Sequence, residues 1–203
     1  MSGQQPLNAR ESVLQSAIRA FARKGYAATS VQEILRATDL SKPTLYYYFS
    51  SKAGLFRAIL DHAYDQSYQE MQAAVGHAHS CEAKLVAIAD ALFRFSETNR
   101  DLTRLAFAAT FAGPDELPPE AADLEKRKRN FHFVLGVIRD GLATRELDAQ
   151  YDPVELTHGI FGAISHQIRT HLLSPAEPLD HRRALRVVTL YLRGARHSQS
   201  ISS

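Results

Sequence analysis

Residues 41–52 read SKPTLYYYFSSK, and the placement of its four consecutive rings decides the fold. On a helix each residue turns about 100° from the last, so Tyr46, Tyr47, Tyr48 and Phe49 cannot all face a core. Leu45 and Phe49, four apart, share one side; Lys42 with Tyr46, Pro43 with Tyr47 and Thr44 with Tyr48 fill the opposite arc. Phenols are thereby left pointing outward between Lys42 and Lys52. A phenol donates to a phosphate oxygen while its ring packs on a sugar or a thymine methyl, and an ammonium neutralises phosphate charge. The arc therefore suits double-stranded DNA. Geometry alone leaves a second arrangement open, with the rings packed on the following helix and both lysines simply solvated.

Working outward, Ser41 can cap this short helix, with Pro43 in its first turn, where a missing N–H costs little. Upstream, Leu14, Ala17, Ile18 and Phe21 make an i, i+3, i+4, i+7 stripe in a first helix over about 8–24. Gly25 then stands where a helix ends in a left-handed residue. Ser30-x-x-Glu33 reads as a capping box opening a second helix, with Val31, Ile34 and Leu35 on its apolar side. That helix stops near Thr38-Asp39-Leu40, where Asp39 tolerates a turn. Two short helices joined by a tight turn and packed on a first helix are the layout of a helix-turn-helix, whose second helix enters the DNA major groove.

Charge divides along the chain in the same sense. Residues 1–60 hold eight Lys/Arg against three acids, a balance of +5, while the remaining 16 bases and 19 acids give −3. A basic front on an acidic body points to a polyanion partner at one end. Hydrophobic residues at 45% and charged residues at 23% fit a soluble globular chain of 203 residues, one domain or two small ones. No apolar run approaches the ~18–20 residues that span a bilayer. The start, MSGQQPLNARES, lacks a signal-peptide pattern, so a cytoplasmic protein with a short mobile arm over 1–7 is expected. The single cysteine, Cys81, excludes an internal disulfide and fits a reducing compartment.

Helical periodicity continues to the end, with no run of strand alternation. From Lys52 a longer helix carries Leu55, Phe56, Ile59 and Leu60; others read over about 82–98, 101–112, 119–144, 153–173 and 179–196. Gly113-Pro114 and Ser174-Pro175 interrupt them, and Pro118-Pro119 restarts the chain. The expected fold is all-α with about nine helices: a three-helix DNA-binding domain over 1–54 and a helical domain over 55–203.

The segment AFARKGYAATSVQEILRATDLSKPTLYYYFSSKAGLFRAIL resembles the DNA-binding domain of the TetR family of bacterial transcription regulators. The resemblance covers about residues 8–60 and rests on Phe21, Gly25, Thr29-Ser30-Val31, Ile34, Ser41, Thr44-Leu45-Tyr46, Tyr48-Phe49, Lys52 and Leu55. It implies a homodimer that reads a palindromic operator, usually as a repressor, until a small molecule binds the C-terminal domain. It also implies recognition-helix contacts from Lys42, Pro43, Thr44, Tyr46 and Tyr47, phosphate contacts at Thr29 and Ser30, and a backbone contact from Lys52. Asp39 replaces the glycine usual in the turn, with some expected strain, and Pro43 stands where glycine is commoner.

In the C-terminal half, Gly159, Gly162 and Ala163 allow close helix approach, and Ile160, Ile164, Ile168, Leu185, Val188 and Leu192 supply apolar contact. Read on residues alone they serve intrachain packing or a dimer seam. The resemblance favours the seam, a four-helix bundle made by the last two helices of each chain. Phe93, Ser96, Phe107, Phe111, Phe131 and His132 lie on the middle helices that enclose the effector in that family, and imply an apolar or aromatic ligand. His77, His79 and Cys81 in HAHSC lack zinc-site spacing and read as a solvated loop, so no metal or cofactor is expected. Lys126–Arg129, KRKR, reads as a wet helix face paired with Glu120, Asp123 and Glu125. No nucleophile elbow, phosphate loop or HExxH motif is present, so an enzyme is not expected. The other reading is a helix-turn-helix factor with no small-molecule switch, either an activator or one controlled by a partner.

Overall fold

The structure is a computed structural model that describes residues 9–113, 116–119, 125–175 and 177–193. Its elements are α1 (Ala9–Ala28), α2 (Val31–Leu35), α3 (Lys42–Phe49), α4 (Lys52–Val75), α5 (Cys81–Thr98), α6 (Arg100–Phe111), α7 (Glu125–Ala143), α8 (Pro153–Leu173) and α9 (His181–Arg193), with no strand among the described residues. The chain divides into two compact units. Of the described residues, the first takes 9–63, 100–113 and 116–119, and the second takes 64–99, 125–175 and 177–193. Residues 1–8 and 120–124, with Glu120, Asp123 and the expected mobile arm, lie outside the described residues.

In the first unit, the stripe on α1 does what its spacing dictates. Leu14, Ala17, Ile18 and Phe21 are buried with Ile34 of α2, Leu45 and Phe49 of α3, and Leu55 and Phe56 of α4. Burial of side chains of this size contributes about 1.5–3 kcal/mol each. Phe21 meets Phe56 edge-on at 5.2 Å, and Tyr26 completes the ring cluster at 5.0 Å from Phe56. Ser16 Oγ donates to the Ile34 carbonyl (2.6 Å), which ties α1 to α2. α1 also packs against α6. Gly25, at φ 80° and ψ 168°, breaks α1 where a stop was expected, but a further turn runs on to Ala28. Asp39 keeps an ordinary φ, so the turn carries no strain there; among the described non-glycine residues only Ser50 and Arg145 have positive φ.

In the second unit, α5 is the central helix, packed against α7, α8 and α9. Leu85, Ile88, Ala89 and Phe93 of α5 are buried, as are Ile160, Ile164 and Ile168 of α8 and Val188 and Leu192 of α9. The close approach allowed by Gly159 is also made within the chain: a Cβ there would run into the Tyr191 ring, whose hydroxyl donates to the Leu156 carbonyl (3.0 Å).

The KRKR expectation is corrected by geometry. Lys128 does pair with Glu125 (2.8 Å), but Lys126 and Arg129 leave their own helix and reach Asp65 of α4, Arg129 at 3.0 Å. Arg129 also donates to the Tyr64 carbonyl (3.2 Å) and lies over the Tyr68 ring at 4.1 Å. The buried Asn130 amide donates to that carbonyl (2.9 Å) and to Ser67 Oγ (3.0 Å). Burial opposes ionisation of Asp65, but the two cations outweigh it and hold the carboxyl below its ordinary value.

Cys81 likewise departs from the expected solvated loop. His77 and His79 are exposed, while Cys81 opens α5 buried; its N–H donates to Glu146 (2.8 Å). Burial, with the Glu146 carboxylate adding to it, pushes the thiol from its ordinary 9.0 up to about 12.

Two predictions follow from these junctions. At Gly54, a Cβ would strike the Phe49 carbonyl oxygen where α3 passes into α4, so Gly54→Ala is expected to cost about 1–3 kcal/mol in a denaturant melt. Unchanged stability would show that this junction yields freely. In the unfolded chain the Cys81 thiol ionises before it does in the fold. Its stabilising contribution is therefore complete below pH 9.0 and lost as pH rises toward about 12. Melting curves between pH 8 and 11 should show a steeper loss of stability for the native chain than for Cys81→Ala; parallel curves would refute it.

Candidate nucleic-acid interface

The interface is built on α3, and its local supports explain why that helix forms at all. Ser41 Oγ accepts from the Thr44 N–H (3.3 Å) and contacts the Thr44 hydroxyl (2.8 Å), which closes the first turn. With Leu45 and Phe49 anchored below, Tyr46, Tyr47 and Tyr48 are exposed at 38%, 83% and 40%. Tyr47 and Tyr48 meet edge-on at 5.1 Å. Lys42, exposed, lies over the Tyr46 ring at 5.8 Å, and Pro43 is exposed in the first turn. Arg10 of α1 lies over the Phe49 ring at 5.3 Å; sequence reasoning passed over it because only folding brings α1 to the end of α3.

The other expected contacts are placed differently. Ser30 is exposed and caps α2 by accepting from the Glu33 N–H (3.1 Å). Glu33 does not complete the capping box; its carboxylate turns to Arg23 (2.9 Å) and Lys24 (2.7 Å). Lys24 first, then Arg23, pulls the Glu33 pKa down against a smaller opposing effect of burial. Thr29 is buried, and its hydroxyl is directed to the carbonyls of Gly25 (2.8 Å) and Ala20 (3.3 Å), so that side chain turns inward. Lys52 is half-buried, over the Tyr26 ring at 4.3 Å with Nζ 3.4 Å from the Ala27 carbonyl, and burial lowers its pKa.

The residues expected to meet an effector divide between the two units. In the first unit, Phe107 is half-buried and Phe111 is 71% exposed. In the second, Phe93 and Ser96 are buried, with the Ser96 hydroxyl donating to the Phe93 carbonyl (2.7 Å). Phe131 packs on His158 and Phe161 of α8, at 4.7 Å and 6.1 Å, and His132 is exposed. Two buried polar atoms have no hydrogen-bond partner among the described residues: Gln66 Oε1 in the second unit and Thr103 Oγ1 in the first. Nothing in the helical spacing marked either. Of the residues assigned to a dimer seam, Gly162 and Leu185 are exposed and Gly159 and Ala163 half-buried; the isoleucines, Val188 and Leu192 serve the chain's own core. No group of three metal-ligating side chains forms among the described residues.

Residues 13–59 match the pattern of bacterial regulatory proteins of the tetR family. The chain is 31% identical over 155 residues to the HTH-type transcriptional repressor ComR of Escherichia coli K12, covering 73% of this chain and 71% of that protein. It is 24% identical over 171 residues to the probable HTH-type transcriptional regulator YttP of Bacillus subtilis, covering 83% and 77%. Among solved structures, the fatty acid degradation regulator FadR of Bacillus halodurans aligns with a TM-score of 0.82 at 17% identity, over 96% of this chain and 100% of that one. FadR of Bacillus subtilis, in complex with stearoyl-CoA, gives 0.80 at 18% identity, over 91% and 98%. These two likenesses concern the fold alone.

A helix-turn-helix presenting a tyrosine arc, on an all-helical chain with this architecture, defines a DNA-binding transcription regulator. The chain belongs to the TetR family.

The exposure of Tyr47 separates surface from support. Tyr47→Ala is expected to leave stability within about 0.5 kcal/mol, whereas Leu45→Ala should lose about 2–5 kcal/mol in the same melt. A comparable loss at both positions would place the Tyr47 ring in packing.

Proposed function

We propose that the protein is a ligand-responsive repressor that acts in the cytoplasm as a homodimer on a palindromic operator. Residues 1–54 read the DNA, and 55–203 bind the effector and pair the subunits. The observation that carries this reading is the Tyr47 ring, 83% exposed on a helix anchored from below. Tyr46, Tyr47, Thr44, Lys42 and Pro43 face base edges and phosphates, and Ser30 adds a phosphate contact. Thr29 supports the start of α2 from inside, since its hydroxyl and its N–H are both engaged within the chain. Lys52 must leave the Tyr26 ring to reach a phosphate.

Subunits pair through the last two helices, on the side chains that the fold leaves outside its own core: Leu173, Leu185 and Leu190, with Gly162. α4 is continuous from Lys52 to Val75 and is gripped by α7 at Tyr64 and Asp65, so it is the element that passes effector binding to the recognition helix. A 100-fold loss of operator affinity requires about 2.7 kcal/mol of differential effector binding. The effector is apolar or aromatic and carries a hydrogen-bond donor for the buried Gln66 Oε1, which has no partner among the described residues.

The test is binding of the purified protein to fragments upstream of its own gene, across a salt series. A saturable two-half-site complex is expected, with affinity reduced at least about tenfold in Tyr47→Ala. In Lys42→Ala the slope of log affinity on log salt should fall by about 1. Binding indifferent to sequence, or a Tyr47→Ala protein that binds like the native one, would overturn the reading.

A further inference from the structure

The first unit contains a cleft that DNA reading does not use. It has a volume of about 360 Å³ and opens between the second half of α1, the start of α4, α6 and the turn after α6. Phe21, Tyr26, Phe56 and Leu105 form its floor, and Arg104 and Glu116 stand at its polar side. A half-open cavity of this size with aromatic walls and few polar groups has the make-up of a small-molecule site. Arg104 is exposed and has no ion-pair partner among the described residues. The Glu116 carboxylate is engaged, accepting from the Gly113 N–H (3.0 Å). Phe111 falls seven residues after Arg104 and three after Ala108, on the same face of α6, and leaves 71% of its surface to solvent beside the opening.

We propose that this cleft binds a planar aromatic anion. Its ring system lies on the Phe21–Tyr26–Phe56 cluster, and its carboxylate or sulfonate meets the Arg104 guanidinium. A flat ring suits the floor because Phe21 and Phe56, buried edge to face, back the half-buried Tyr26 ring and leave it for offset stacking. Such a ligand would touch Tyr26 on the ring whose face carries Lys52. The cleft belongs to the first unit, whereas Gln66, whose Oε1 is assigned above to the effector, belongs to the second.

The probe is 8-anilinonaphthalene-1-sulfonate, followed by fluorescence on the full chain without DNA. Saturable binding is expected, weakened about tenfold in Arg104→Gln by loss of one charge-assisted contact. Ala108→Trp, at an exposed position on the cleft wall, should remove this class of sites while leaving the circular dichroism melt and operator binding unchanged. If Ala108→Trp misfolds, Arg104→Gln alone decides, since its side chain is exposed. Dye affinity within twofold of the native chain in Arg104→Gln overturns the proposal, as does equal or tighter binding of a cationic naphthyl dye of the same size. Because the dye titration contains no DNA, its outcome is independent of whether the operator reading holds.

Discussion

The structure turns on one anchoring interaction, the burial of Leu45 and Phe49 beneath α3. An eight-residue helix is too short to persist alone in water. It exists because its underside is sealed against Ile34 and the α1 stripe, and because Ser41 caps its start. That seal also dictates the exposed chemistry. With two of the five residues from Leu45 to Phe49 committed inward, the three tyrosines between them have nowhere to go but out. An exposed aromatic surface is thus produced by a packing constraint, and within it Tyr47 meets Tyr48 edge-on.

The parts of this fold legible in the sequence are those set by local chemistry. Helical spacing, serine caps and glycine breaks located the helices and the outward arc, because each acts within three or four residues of chain. The details that escaped are those in which a residue chooses among distant neighbours. Ile160, Ile164, Ile168, Val188 and Leu192 were correctly apolar, but spacing says only that a face is buried, not whether its cover is the same chain or another. α9 shows the difficulty: Val188 is fully covered while Leu185 and Leu190 remain open. Lys126 and Arg129 misled for a similar reason, since local acids offered partners and a carboxylate 61 and 64 residues away took them. Thr29 carried the right residue type for a phosphate contact, yet its hydroxyl finds carbonyls at the end of α1.

α4 deserves its length. One unbroken helix supplies residues to both units, and α7 binds it by a mixed set of contacts: ion pairs to Asp65, a guanidinium on Tyr68, and an amide inserted beside Ser67. The Tyr64 carbonyl collects donors from Arg129, Asn130 and Ser67. An apolar contact would tolerate sliding along the helix axis, whereas a set of directional bonds to one carbonyl fixes a single register.

The brevity of α3 has an arithmetic consequence. Eight residues rise only about 12 Å, which spans roughly three to four base pairs at 3.4 Å each. With four distinguishable pairs at each step, a four-pair word turns up about once in every 256 positions of random DNA. A single copy of this helix thus holds too little information to name one address in a bacterial chromosome of millions of positions. In the homodimer proposed above, selectivity is assembled from repeated use of the same short word at a fixed spacing, and the distance between two copies becomes part of the code.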